Sequence, residues 1–236
     1  MKLPDTRKKA LWITAYAVAM GVLEAAVVIY LRKLYYPEGF TFPLRMVDTD
    51  IAVVELVREV ATIVMLAVVG VLAGRTRSER FAWFIYCFGI WDLVYYGFLR
   101  LALGWPESVM TWDILFLLPV PWYGPVLAPC LVALSMCGIA LMAVWFTDHG
   151  LDARMTTRER ALMVTGSLII ILSFTIDWMK AEGPILWANL TMPRDLLYGL
   201  AYVPTDYPWW IFFIGFAIGL AGWYLWGSRV ARSMSS

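Results

Sequence analysis

The chain has 236 residues, 61% of them hydrophobic and 16% charged, with a mean hydropathy of +0.71 and a net charge of +1. That composition excludes a disordered chain and an ordinary soluble domain. The near-zero charge excludes a basic face for nucleic acid, so no nucleic-acid partner is expected.

Runs of about 20 apolar residues recur between short charged patches, and that is the length a helix needs to cross a hydrocarbon core. The expectation is an all-α integral membrane protein, one polytopic domain over 1–236, with six transmembrane helices near 11–31, 51–73, 81–101, 125–147, 161–179 and 209–227. The first run follows Lys2, Arg7, Lys8 and Lys9 like a signal peptide. It is longer than a signal core, contains Glu24 and lacks a small-x-small site near its end, so it reads as a retained helix.

The second run carries Glu55, Arg58, Glu59 and Thr62 at i, i+3, i+4 and i+7, one polar stripe on a helix. The third carries a similar stripe, Asp92, Tyr95, Tyr96 and Arg100 at i, i+3, i+4 and i+8, flanked by Trp91. Between the third and fourth runs, Pro119, Pro121, Pro125 and Pro129 interrupt the chain where backbone donors would be needed. A short outer-side helix, re-entrant or interfacial, is expected at 109–118, with Asp113 near its N-terminal turns and Trp112 beside it. The segment 180–208, with Trp187, Tyr198, Tyr202, Tyr207, Trp209 and Trp210, suits an outer lid at headgroup level. Small residues at Ala17/Gly21/Ala25, Gly70/Gly74 and Gly215/Gly219 mark faces where helices meet within the chain.

Alternate loops divide the basic residues unevenly. Lys2, Arg7, Lys8, Lys9, Arg75, Arg77, Arg80, Arg154, Arg158, Arg160, Arg229 and Arg232 fall on one side; Arg32, Lys33, Arg45, Arg100, Lys180 and Arg194 fall on the other. Basic residues collect in cytoplasmic loops, so both termini are expected in the cytoplasm.

With that orientation, a rise of 1.5 Å per residue puts Glu24 about 10 Å below the outer surface, Glu55, Arg58 and Glu59 about 6 to 12 Å, and Asp92 about 15 Å. Charges at such depth need water or a partner, so Glu24, Glu59 and Asp92 are the candidate acid–base groups. Glu55, Arg58, Trp91, Tyr95, Tyr96, Arg100, Trp112 and Asp113 are the candidate ligand contacts. Four acids against two arginines leave an excess of negative charge, so at least one carboxyl, Glu24 or Asp92, is expected to stay protonated. No metal or cofactor is expected: Cys87, Cys130 and Cys137 form no C-x-x-C pair, and His149 is the one histidine, in a charged loop.

Three uses of such a pocket stay open, and with them whether the chain is an enzyme. The first is binding of an amphipathic or lipid-like molecule (a lipid, quinone or isoprenoid), alone or within a membrane complex beside other membrane proteins. The second is acid–base catalysis on an isoprenoid or lipid, of cyclase or isomerase type. The stretch Trp91-Asp92-Leu93-Val94-Tyr95 resembles a Trp-acid-Leu-Val-Tyr segment of integral-membrane terpene cyclases, over five residues and with Asp where Glu is usual, and implies that chemistry. The third is proton- or cation-coupled transport, for which the fourth and sixth runs offer few polar groups.

Overall fold

The computed structural model describes residues 6–45, 48–184 and 202–234. They form six long helices: α1 (Thr6–Tyr35), α2 (Thr49–Ala73), α3 (Arg77–Leu103), α4 (Leu127–Asp148), α5 (Thr157–Ala181) and α6 (Trp209–Arg232). Each is long and apolar enough to cross a membrane, and the protein is mostly helical. A short antiparallel hairpin, β1 (Trp112–Phe116) and β2 (Trp122–Pro125), separates α3 from α4.

The helices begin and end where local chemistry requires. Thr76 accepts a hydrogen bond from the Glu79 N–H at 3.2 Å and starts α3. Thr156 and Glu159 form a reciprocal capping box at the start of α5, at 3.3 and 2.8 Å. Gly104, at φ 70°, takes the left-handed conformation that ends α3, its N–H bonded to the Arg100 carbonyl.

No short helix forms over 109–118. Residues Trp112–Phe116 are instead a strand, with Trp112 opposite Pro125, Asp113 opposite Gly124, Ile114 opposite Tyr123 and Phe116 opposite Trp122. Pro119 and Pro121 lack the amide hydrogens a helix would need and fit the turn, while a run of aromatic and branched residues fits a strand. Asp113 therefore does not cap a helix dipole; it is a strand residue 1% exposed.

α3 is the central post: α1, α2 and α4 all lie along it, whereas α1 and α2 scarcely touch one another. Gly21 of α1 sits so close to α3 that a Cβ there would lie 2.8 Å from the Trp91 carbonyl oxygen. α5 and α6 form a tight pair at Gly166 and Gly215, joined to the rest through α4 and β2. A main core of Ile13, Met20, Leu66, Trp83, Tyr86, Trp91 and Trp226 fills the bundle. A second cluster, in which Trp122 stacks on Phe174 and Tyr207 bonds Ser173 at 2.9 Å, ties the hairpin to α5 and α6.

At the end where α1 begins, Glu79, 2% exposed, accepts from Lys9 at 3.2 Å and from the backbone and side chain of Arg75 at 2.9 and 3.1 Å. Arg75 also reaches Asp148 at 3.2 Å, and Lys9 bonds the Ala73 carbonyl at 2.8 Å. This knot fixes α1, α2, α3 and α4 to one another at that end. The opposite end holds the hairpin and a cavity.

Candidate ligand pocket

A cavity of about 190 Å³ opens between α1, α2, α3 and β1. The spacing of its residues explains why these elements face it. Glu24, Val28, Leu31, Arg32 and Tyr35 make one stripe of α1; Glu55, Arg58, Glu59 and Thr62 make one of α2; Trp91, Asp92, Tyr95 and Tyr96 make one of α3. β1 adds Asp113 to Phe116, followed by Leu117, and the segment after α1 adds Tyr36, Phe40, Leu44 and Arg45.

Polar side chains bridge the gap that α1 and α2 leave. Arg58 pairs with Glu24 across it and with Glu55 on its own helix, at 2.9 Å from Nε and 2.5 Å from Nη2. Thr62 donates to Glu24 at 3.2 Å. Glu59 turns to the hairpin and accepts the Leu117 N–H at 3.0 and 3.2 Å on its two oxygens. Arg32 donates to Asp113 at 3.2 Å and lies against the rings of Phe40 and Trp105, 4.2 and 3.5 Å from their centroids. Burial pushes the Asp113 carboxyl up to about 6 against the opposing pull of Arg32. Asp92 lines the cavity, and among the described residues neither an ion pair nor a hydrogen bond meets its carboxyl.

Of the sequence-derived site residues, Glu24, Glu55, Arg58, Glu59, Trp91, Asp92, Tyr95, Tyr96 and Asp113 all line this cavity. Arg100 and Trp112 do not. Arg100 bonds the carbonyl oxygens of Gly104 and, at 2.9 Å, of Pro106, in the segment that leaves α3, where the C-terminal end of a helix favours a cation. Trp112 packs edge-on to Tyr207 in the second aromatic cluster. Asp177 reaches Lys180 at 3.9 Å and Asp206 is exposed; neither lines the cavity. Arg194, Asp195, Trp187, Tyr198 and most of the 180–208 segment lie outside the described residues.

Among the lining residues that sequence reasoning missed, Arg32 is the buried charge. It follows directly on an apolar run and looked like the boundary of a span, although its place on the Glu24–Leu31–Tyr35 stripe pointed inward. Among the described residues no group of three or more His, Cys, Asp or Glu could hold a metal ion.

No protein-family model matches the chain, and no characterised protein or solved structure does.

Proposed function

We propose that the protein binds an amphipathic, lipid-like small molecule in this pocket. The polar end meets the carboxylates and the tail lies along Val28, Leu31, Leu44, Ile114 and Leu117. The observation that carries this reading is Asp92: a carboxyl without a partner among the described residues, lining a cavity whose wall combines apolar and aromatic side chains with four further carboxyls and three arginines. Orphaned polar groups at such a place signal a ligand or ordered water rather than a packing role. In the orientation favoured by the uneven basic loops, the termini are cytoplasmic and the pocket lies in the outer half of the bilayer. The sparse contact between α1 and α2 supports an approach by the ligand from the lipid side.

The test is native mass spectrometry of the full chain extracted gently from its host membrane. A hydrophobic molecule retained at defined stoichiometry, and lost or weakened in Asp92→Leu, is the expected result. Retention of bulk phospholipid alone, identical in both proteins, would refute binding. A second reading rests on the same residue, because an unengaged carboxyl beside Trp91, Tyr95 and Phe116 is also what acid-initiated isoprenoid chemistry requires. Turnover of an unsaturated isoprenoid that is abolished in Asp92→Asn, with binding retained, would select it.

A further inference from the structure

With every group ionised, the charges around the cavity do not balance. Five carboxyls line it: Glu24, Glu55, Glu59, Asp92 and Asp113. Arg58 is shared by Glu24 and Glu55, and Arg32 is committed to Asp113. Arg45, the third arginine of the lining, is exposed and lies 5.7 Å from the Tyr36 ring. Glu59 is met by the N–H groups of the hairpin turn and feels the charge of Arg58 without forming an ion pair among the described residues, and Asp92 has neither.

A second observation points the same way. The Arg32–Asp113 contact is a single hydrogen bond where an arginine and a carboxylate commonly make two. The guanidinium is held against Phe40 and Trp105, and Asp113 is fixed in β1 opposite Gly124. As a result Asp113 Oδ2, on a side chain 1% exposed, is left without a hydrogen bond. The Tyr96 hydroxyl lies near this carboxylate, but no donor completes a bond to Oδ2. A buried acceptor left in that state is costly, and a donor supplied by an occupant would relieve it; Arg32 Nη1, which also lacks a hydrogen bond, stays on the guanidinium held against Phe40 and Trp105.

Resting on the ligand-binding reading, we infer that the occupant of this pocket is a cationic amphiphile, a primary ammonium head on an alkyl or isoprenoid chain. Its ammonium supplies both the charge that Asp92 and Glu59 lack and the hydrogen-bond donors that Asp92 and Asp113 Oδ2 lack. The faces of Trp91, Tyr95 and Tyr96 suit a cation in the same way. A carboxylate or phosphate head brings more negative charge and no donors. A neutral diol brings donors but leaves the charge unbalanced.

The test places the full-length protein in nanodiscs of zwitterionic phosphatidylcholine and measures saturable binding of three probes of equal chain length: dodecylamine, a vicinal dodecanediol and dodecanoate. Empty nanodiscs give the blank for partitioning into lipid. Dodecylamine is expected to bind about tenfold or more tighter than the diol, with dodecanoate weakest, one uncompensated ion pair being worth about that factor. Asp92→Asn, nearly isosteric, should remove most of the preference for dodecylamine over the diol. Asp92→Leu, with the fold checked by circular dichroism and gel filtration, serves if the first variant is unstable.

Diol or dodecanoate binding as tightly as dodecylamine would overturn the cationic assignment and leave ligand binding standing. So would a preference for dodecylamine that survives both Asp92 variants. Absence of saturable binding for all three probes would overturn both.

Discussion

Arg58 is the point at which the pocket can be tested most directly, because it joins two helices that otherwise scarcely meet. Its guanidinium pairs with Glu24 on α1 and with Glu55 on α2, and the three side chains are 21%, 12% and 13% exposed. Arg58→Gln leaves two carboxylates facing each other without a cation. Breaking a buried pair costs about 3–5 kcal/mol, and the residual exposure here places the cost near 3 kcal/mol. Glu24→Gln should cost less, about 1 kcal/mol, because Arg58 keeps Glu55 and the new amide oxygen can still accept from Thr62. In the Arg58→Gln background, Glu24→Gln removes an unbalanced charge and should cost nothing or restore stability. The double-mutant cycle therefore yields a coupling of about 1–2 kcal/mol between α1 and α2. Unfolding in mixed micelles of increasing SDS fraction, followed by tryptophan fluorescence, measures it. A coupling below about 0.5 kcal/mol, small for residues in direct contact, would show that something other than this triad bridges the helices.

Three further outcomes follow from contacts elsewhere. In Gly166→Ala the new Cβ would lie 2.6 Å from the Gly215 carbonyl oxygen, so α5 and α6 must separate; a loss of about 1–3 kcal/mol in the same unfolding assay is expected, and an unchanged midpoint would contradict the packing. Glu79→Gln, at a side chain 2% exposed with three donors, should cost about 2–4 kcal/mol, clearly more than Arg75→Gln at a side chain 42% exposed; equal effects would place the energy in the wrong partner. Burial raises Asp113 from 3.8 to about 6, so between those values the native state holds a proton that the unfolded chain has released. The stability this contributes is complete below about pH 4 and is lost as the pH rises through about 6, a change of roughly 3 kcal/mol at most. Subtracting the profile of Asp113→Asn from that of the wild type isolates it, and a flat difference would refute the raised value.

The six helices were legible because the sequence alternates apolar runs of membrane-crossing length with charged breaks, a signal that needs no knowledge of tertiary contacts. The hairpin was not. A five-residue, mostly apolar segment such as Trp112–Phe116 is ambiguous between helix and strand, and its pairing partner contains Gly124 and Pro125, which mask a strand. Within the site, the polar stripes on α2 and α3 could be read from spacing alone. The Glu24–Arg58 bridge could not, since spacing gives depth along a helix but not which neighbour that helix faces. Arg100 had the spacing of a pocket residue yet lay within reach of the carbonyls at the end of α3, and those took it. Arg32 was hidden by the opposite accident, a charge at the end of an apolar run that turns inward to stack on aromatic rings.

The Lys9–Glu79–Arg75–Asp148 knot makes α2 a lever with a fixed fulcrum. Glu55 stands 18 residues from Ala73, roughly 27 Å along the axis, so a tilt of about 5° about the knotted end displaces it by roughly 2 Å. With such a tilt the seam beside α1 would widen like the jaws of a clothes-peg, most at the cavity and hardly at all at the knotted end, and Arg58 is the clasp across the jaws.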